Sequence, residues 1–329
     1  MMVKNAALAS GSFGSSQSRK TALLVFLFLG LVWGSNFIFM KWAAALISPA
    51  QIVLLRCVFG FLPVLFYALS QRALSWRHFR YAHHFIVMSL LATAIYYFAF
   101  AKGTALLPSS IAGLLSGAIP LFTFVCTWLF LREERVTVIK AAGIVLGFVG
   151  VLLIARPWST SGEIDLAGVV YMIAGSLSVG ISFVYARKFI SPLKLPASDP
   201  TTYQIGLAIL ILSAVTNYDG IGAVFGDTRA WLGLVFGLGL GGTGLAYLAY
   251  YHVVSNLGAV AASSVTYIPP VVALVIGIFL AGEKISALGY LATVFILAGV
   301  ALLQSGGRRS KIESEAKEVP AAHVSGSRL

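Results

Sequence analysis

Apolar residues in this chain neither alternate with polar ones nor recur at the spacing of a half-buried helix. They run on in stretches of about 20 residues. Such windows fall at 21–42, 49–69, 82–101, 108–130, 137–155, 165–186, 200–217, 230–251, 258–280 and 286–304. Short connections separate them, and many open on residues that suit a helix start: Pro49, Pro108, Thr137, Asp165, Pro200 and Ser286. As helix, a stretch of that length matches the thickness of a bilayer core. Lipid satisfies no backbone polar group, so continuous apolar runs that cross it must be helical. The pattern therefore predicts an all-α integral membrane protein of ten transmembrane helices, the seventh being the shortest. The Ser/Gly-rich stretch 1–20 and the polar stretch 305–329 read as disordered tails. The first apolar run is too long for a signal-peptide core and reads as a span that stays.

The windows are not independent of one another. A shift of 149 residues lays Ile119-Pro120 on Ile268-Pro269, Phe130-Leu131 on Phe279-Leu280, and Glu134-Arg135 on Glu283-Lys284. The same shift lays Thr137 on Ser286 and Gly150-Val151 on Gly299-Val300. A slightly different shift matches Gly34-Ser35-Asn36-Phe37-Ile38 to Gly180-Ile181-Ser182-Phe183-Val184. Residues 21–155 and 156–304 are thus two repeats of five spans each. Five is odd, so the second repeat enters the membrane from the opposite side. Inverted repeats are a recurrent plan of secondary transporters, with the substrate site where the halves meet at the midplane.

Composition agrees. Of the 329 residues, 59% are hydrophobic and 10% charged, with mean hydropathy +0.91, against about 25% charged in soluble domains. A net charge of +12 would suit nucleic acid, but its placement says otherwise. With the N-terminus inside, 17 of the 23 Lys and Arg fall on inner segments and five on outer ones, leaving Arg56 within a span. That is a positive-inside bias, placing both termini in the cytoplasm; no nucleic-acid partner is expected. Cys57 and Cys126 lie inside apolar runs and make neither a disulfide framework nor a metal site.

The chain resembles the EamA-type branch of the drug/metabolite transporter superfamily. The resemblance is carried by Trp33-Gly34-Ser35-Asn36-Phe37 with Lys41, and by Arg56 following Pro49. Two further blocks complete it: Leu131 to Val151, and Leu280 to Val300. It covers nearly all of 21–304 and implies a ten-helix exporter whose central cavity is lined by the first, third, fourth, sixth, eighth and ninth helices. Family members export amino acids and other metabolites, so a fold-level likeness leaves the cargo open.

On those helices the candidate cavity residues are neutral and aromatic. They are Trp33, Asn36 and Phe37 on the first, Tyr96, Tyr97 and Phe100 on the third, and Ser116 on the fourth. The sixth adds Ser178, Ser182 and Phe183, the eighth Tyr247 and Tyr250, the ninth Thr266 and Tyr267. Such walls suit a small zwitterion or neutral metabolite, although Tyr and Trp also gather at membrane interfaces. Pro120 and Pro269-Pro270 interrupt corresponding spans, which marks either a substrate region or simple kinks. Arg56, about 10 Å into its span, either serves function or bonds carbonyls of a neighbouring helix; the resemblance suggests a structural or gating partner.

All 11 Asp and Glu fall in loops, tails or span ends. Proton-coupled exporters generally need a titratable group within the membrane. His83, His84 and His252 sit near span ends, where interfacial anchoring is their expected role. Facilitated transport or exchange is favoured, and a proton-coupled drug exporter is the alternative. Gly237-x-Gly239-x-x-Gly242 fits the dinucleotide fingerprint but lies inside a span with no strand before it. Gly143-x-x-x-Gly147 and Gly233-x-x-x-Gly237 permit close helix packing, within the chain or across a homodimer. No convergent nucleophile–base pair or metal set stands in the spans, so neither enzyme chemistry nor a cofactor is expected. The expectation is an exporter of small metabolites, amino acids first, in a cell inner membrane. Carriage of nucleosides, sugars or drugs is the alternative within that class.

Overall fold

The computed structural model describes the backbone of residues 3–131, 137–158, 164–257 and 264–318, with side chains from 20 to 305 within those stretches. Among the described residues the regular structure is all helical. Besides a short 3₁₀ helix at Ile221–Gly226, ten helices follow one another among the described residues: α1 (Val3–Ala44), α2 (Pro49–Ser70), α3 (Trp76–Leu106), α4 (Ser109–Leu131) and α5 (Val138–Ala155), then α6 (Leu166–Leu193), α7 (Ser198–Val215), α8 (Thr228–Leu257), α9 (Ser264–Phe279) and α10 (Ala287–Glu318).

Eight of them, all but α7 and α9, hold stretches long and apolar enough to cross a membrane. The opening turns of α7 carry Asp199, Thr201, Thr202 and Gln204, which lower its hydropathy. Residues 258–263, where the ninth span is expected to begin, lie outside the described residues, as do Glu134 and Arg135. Where the sequence suggests disordered tails, the backbone is helical from Val3 and as far as Glu318. Adding residues to an existing helix costs far less than nucleating one. On the outside Leu24, Phe66, Val145, Val170, Leu210 and Val294 are each more than 60% exposed. Water would not tolerate that surface; lipid does.

Local chemistry sets the helix starts. Ser48 forms a capping box with Gln51 ahead of Pro49. Thr137 caps α5, and Asp165 accepts from the Ala167 and Gly168 N–H groups at the start of α6.

The packing repeats the internal symmetry. Exchanging α1–α5 for α6–α10 maps each principal pairing onto another: α1–α8 onto α6–α3, α1–α9 onto α6–α4, and α2–α8 onto α7–α3. Three pairs map onto themselves, namely α2–α7, α4–α9 and α5–α10. The glycine motifs serve these seams. A Cβ on Gly299 of α10 would lie 2.5 Å from the Gly147 nitrogen of α5, so backbone meets backbone there. Gly233 and Gly237 of α8 rest on the Phe39 ring of α1.

Irregularities also recur in matching places. In α4 the regular helix ends at Ser116 and resumes at Ile119; in α9 a 3₁₀ turn, Ser264–Tyr267, gives way to α-helix at Ile268. Pro120 and Pro269 are each the second residue of the resumed segment, where a missing N–H costs nothing. Both α3 and α8 turn π-helical midway, over Leu90–Ala94 and Gly233–Leu245.

Candidate functional site

At the centre of the bundle, α2 and α8 approach closely because Gly60 leaves room for Thr243. Arg56, 5% exposed, reaches across this contact. Its Nε donates to Thr243 Oγ1 at 2.8 Å, and its Nη2 lies 3.5 Å from the Gly242 carbonyl. The guanidinium carbon sits 3.8 Å above the Tyr97 ring of α3, a cation–π contact. Gly242 is also the neighbour of Asn36 on α1: a Cβ there would come within 2.3 Å of Asn36 Oδ1. That oxygen is buried with no hydrogen-bond partner. Among the described residues no carboxylate lies within ion-pair distance of Arg56; the pair found there is His78–Asp199, at 3.8 Å.

Aromatic rings extend this cluster. Tyr96 packs on Tyr97 and Phe100, with centroids 5.0 and 4.6 Å away, and Phe100 lies 6.1 Å from Phe37. Tyr247 of α8 is half-buried and packs against the same core as Tyr97 and Phe100. Seven residues named from sequence, Asn36, Phe37, Arg56, Tyr96, Tyr97, Phe100 and Tyr247, therefore gather in one place. Trp33 and Tyr250 form a neighbouring pair, 6.1 Å apart, over Leu29, Ala246 and Val265.

The remaining candidates are placed differently. Ser116 and Ser182 donate to carbonyls of their own helices, Gly113 and Val179. Ser178 donates to the Leu91 carbonyl in the π-helical part of α3. Phe183 is 47% exposed, apart from the cluster, although Phe37, its partner in the repeat, is buried. Thr266 and Tyr267 are half-buried in the turn that leads into Pro269-Pro270. The two helix interruptions touch: a Cβ on Gly117 would lie 3.5 Å from Pro270 Cγ. Gly34 of α1 packs against Val272 and the Pro269 carbonyl.

The fold relates the Arg56 contact to a second one that sequence reasoning missed. On α7, Gln204 donates to Thr93 Oγ1 of α3 at 2.8 Å. Arg56 and Gln204 are the eighth and seventh residues of α2 and α7. Thr243 and Thr93 both lie in the π-helical stretches. The 149-residue shift lays Arg56 on Ile205 and Ala94 on Thr243, so the internal repeat signals this pair only to within one residue.

Two end regions frame the centre. At one, Lys41 Nζ donates to the Ala105 and Leu107 carbonyls at 3.0 and 2.8 Å, neutralising the C-terminus of α3. Gly282, at φ +66°, turns the chain so that Glu283 points back at the start of α4. There the carboxylate accepts from the N–H and hydroxyl groups of both Ser109 and Ser110. Burial pushes the Glu283 pKa up, but the bonds from Ser110 and then Ser109 outweigh it and hold the carboxyl below its ordinary range. At the other end His78 and Asp199 face each other beside Tyr203, and His84 Nδ1 lies 2.7 Å from the Tyr185 hydroxyl. Asp199 is 2% exposed.

Such an arrangement defines an all-helical membrane protein of two inverted repeats that close over a polar and aromatic centre. The model of the EamA-like transporter family matches residues 20–156 and 166–305, one block per repeat. The chain belongs to that family and is a multi-pass membrane protein. It is 28% identical over 199 residues to the uncharacterized inner membrane transporter YedA of Escherichia coli (strain K12). That match spans 60% of this chain and 63% of YedA, under two thirds of the relative's length. The uncharacterized transporter YvbV of Bacillus subtilis is 26% identical over 308 residues, covering 93% of this chain and 96% of that protein. An uncharacterized transporter of Archaeoglobus fulgidus is 22% identical over 82% and 93% respectively. A crystal structure 21% identical superposes with a TM-score of 0.58 over 89% of this chain and 99% of the other, a likeness of fold alone.

Proposed function

We propose that this transporter is a secondary carrier exporting small metabolites, amino acids first, by alternating access across a bacterial-type inner membrane. Both termini face the cytoplasm in this reading, in keeping with the positive-inside distribution of Lys and Arg. The observation that carries it is the meeting of the α4 and α9 interruptions, through Gly117 and Pro270, beside a buried cluster drawn from both repeats. Paired broken helices at a repeat interface are where such carriers hold their cargo. The cluster holds side chains suited to binding and orienting a small molecule and needs no covalent chemistry to do so. Rocking of one repeat against the other would expose it to each side in turn.

Uptake of a labelled amino-acid panel into liposomes carrying the purified chain tests this, with and without a pH gradient. Uptake that saturates and is indifferent to the gradient is expected; no uptake of any amino acid overturns the first cargo. A second reading, coupling to protons, is favoured by one observation: the buried Asp199 beside His78 at the start of α7. Stimulation of uptake by the gradient, lost in Asp199→Asn, would establish it.

A further inference from the structure

We infer that Arg56 is the carboxylate-binding residue of the carrier and that its cargo is a small monocarboxylate, zwitterions included. The inference rests on the carrier reading and deepens it.

A guanidinium has five N–H donors and a permanent charge. In Arg56 one donor is well used, by Thr243, a second makes only a 3.5 Å approach to a carbonyl, and among the described residues no carboxylate stands opposite, so the Tyr97 face at 3.8 Å offsets the charge only in part. Burying an uncompensated charge is costly, so such groups are paired or await a partner.

Gln204 makes the matching bond to Thr93 at the same 2.8 Å, and it is neutral. The fold therefore needs a single donor from α2 or α7 to a threonine in the π-helical stretch opposite. The charge on α2 is surplus to that scaffold role, and its planar fork suits a carboxylate held by two parallel bonds.

Asn36, 95% buried, is set against the same Gly242 whose carbonyl Arg56 approaches. Its Oδ1 lacks a donor, which an ammonium or hydroxyl beside the carboxylate would supply. The ring faces of Tyr96 and Phe100 offer apolar contact, and tyrosine faces also attract an ammonium. One cation neutralises one negative charge. Dicarboxylates and phosphates are thereby disfavoured, as are amines without an acid group.

Counterflow in liposomes carrying the full chain tests this with L-leucine and L-phenylalanine, their carboxamides, their decarboxylated amines and their deaminated acids. Thermal shift of the purified protein with the same compounds gives an independent readout of binding. The expected result is that the compounds with a free carboxylate exchange at least tenfold faster than those without. Arg56→Gln, which copies the neutral partner site, should melt within two or three degrees of the parent yet lose at least tenfold in affinity for the acids. Should Arg56→Gln fail to fold, Asn36→Asp decides. An internal carboxylate against the guanidinium should raise the melting temperature and cut exchange of the acids tenfold or more; unchanged exchange overturns the inference. Equal exchange of the carboxamides or amines overturns it while leaving the carrier reading intact, as does undiminished affinity in Arg56→Gln. If no acid exchanges at all the inference falls, and the carrier reading falls with it only when nucleosides and sugars also fail.

Discussion

Two contacts related by the internal symmetry, α2 with α8 and α7 with α3, are built alike and equipped differently. In each a side chain from near the start of one helix donates at 2.8 Å to a threonine in a π-helical stretch of the other. One donor is Gln204 and the other Arg56. Their surroundings diverge in the same sense. Near Arg56 stands Asn36 without a partner; its counterpart in the repeat, Ser182, is bonded to its own helix. Phe37 is buried in the cluster, and its counterpart Phe183 is 47% exposed. Symmetry of the backbone thus supplies two equivalent stations, and in the reading proposed above the side chains make the neutral one structural and the charged one functional.

The sharpest way to break that contrast is to charge the structural station. Gln204→Arg would put a second cation into a buried position now held by a neutral amide, at a cost of about 3 kcal/mol or more, read as lost thermal stability in detergent. A polar group with its partners all in place gives the next effect. Glu283→Ala leaves the start of α4 uncapped and should cost about 2 kcal/mol. Its pH dependence has a definite sign. The Glu283 pKa is depressed on folding, so its contribution is full above the ordinary value of 4.5 and fades as pH falls through the lower folded value. Melting temperatures recorded from pH 7 downward should show this acid limb, and Glu283→Gln should flatten it. Smaller again is the change at the functional station: Arg56→Gln keeps a donor for Thr243 and should alter stability by no more than about 1 kcal/mol while transport is lost. Least of all, Ser182→Ala removes a bond to its own helix and should cost below about 0.5 kcal/mol, with transport unchanged.

Much of the fold was legible beforehand for a simple reason. A residue facing lipid and a residue facing another helix can both be apolar, so ten spans stand out whatever their rotation. The repeat was legible because both halves solve the same packing problem, most plainly at Ile119-Pro120 and Ile268-Pro269. The site was legible only in part. Phe37 and Phe183 look equivalent along the chain, and only the close approach of α1, α3 and α8 puts one inside and leaves the other exposed. Asp199 reads as a span-end carboxylate, and only the fold buries it against His78.

The sequence by itself determined the solvent, the number and order of spans, the opposed sense of the two halves and the family to which they belong. These follow from continuous hydropathy, from odd span counts and from residues matched at a fixed shift. Tertiary structure alone decided how each helix is turned about its axis, and so which polar groups meet. An apolar helix in lipid has little amphipathic bias to set that angle; glycine seams such as Gly299 on Gly147 and Gly242 on Asn36 set it instead, by letting particular faces come close. That rotation is what brings Arg56 under Tyr97 and against Thr243, with no carboxylate of the described residues in ion-pair reach.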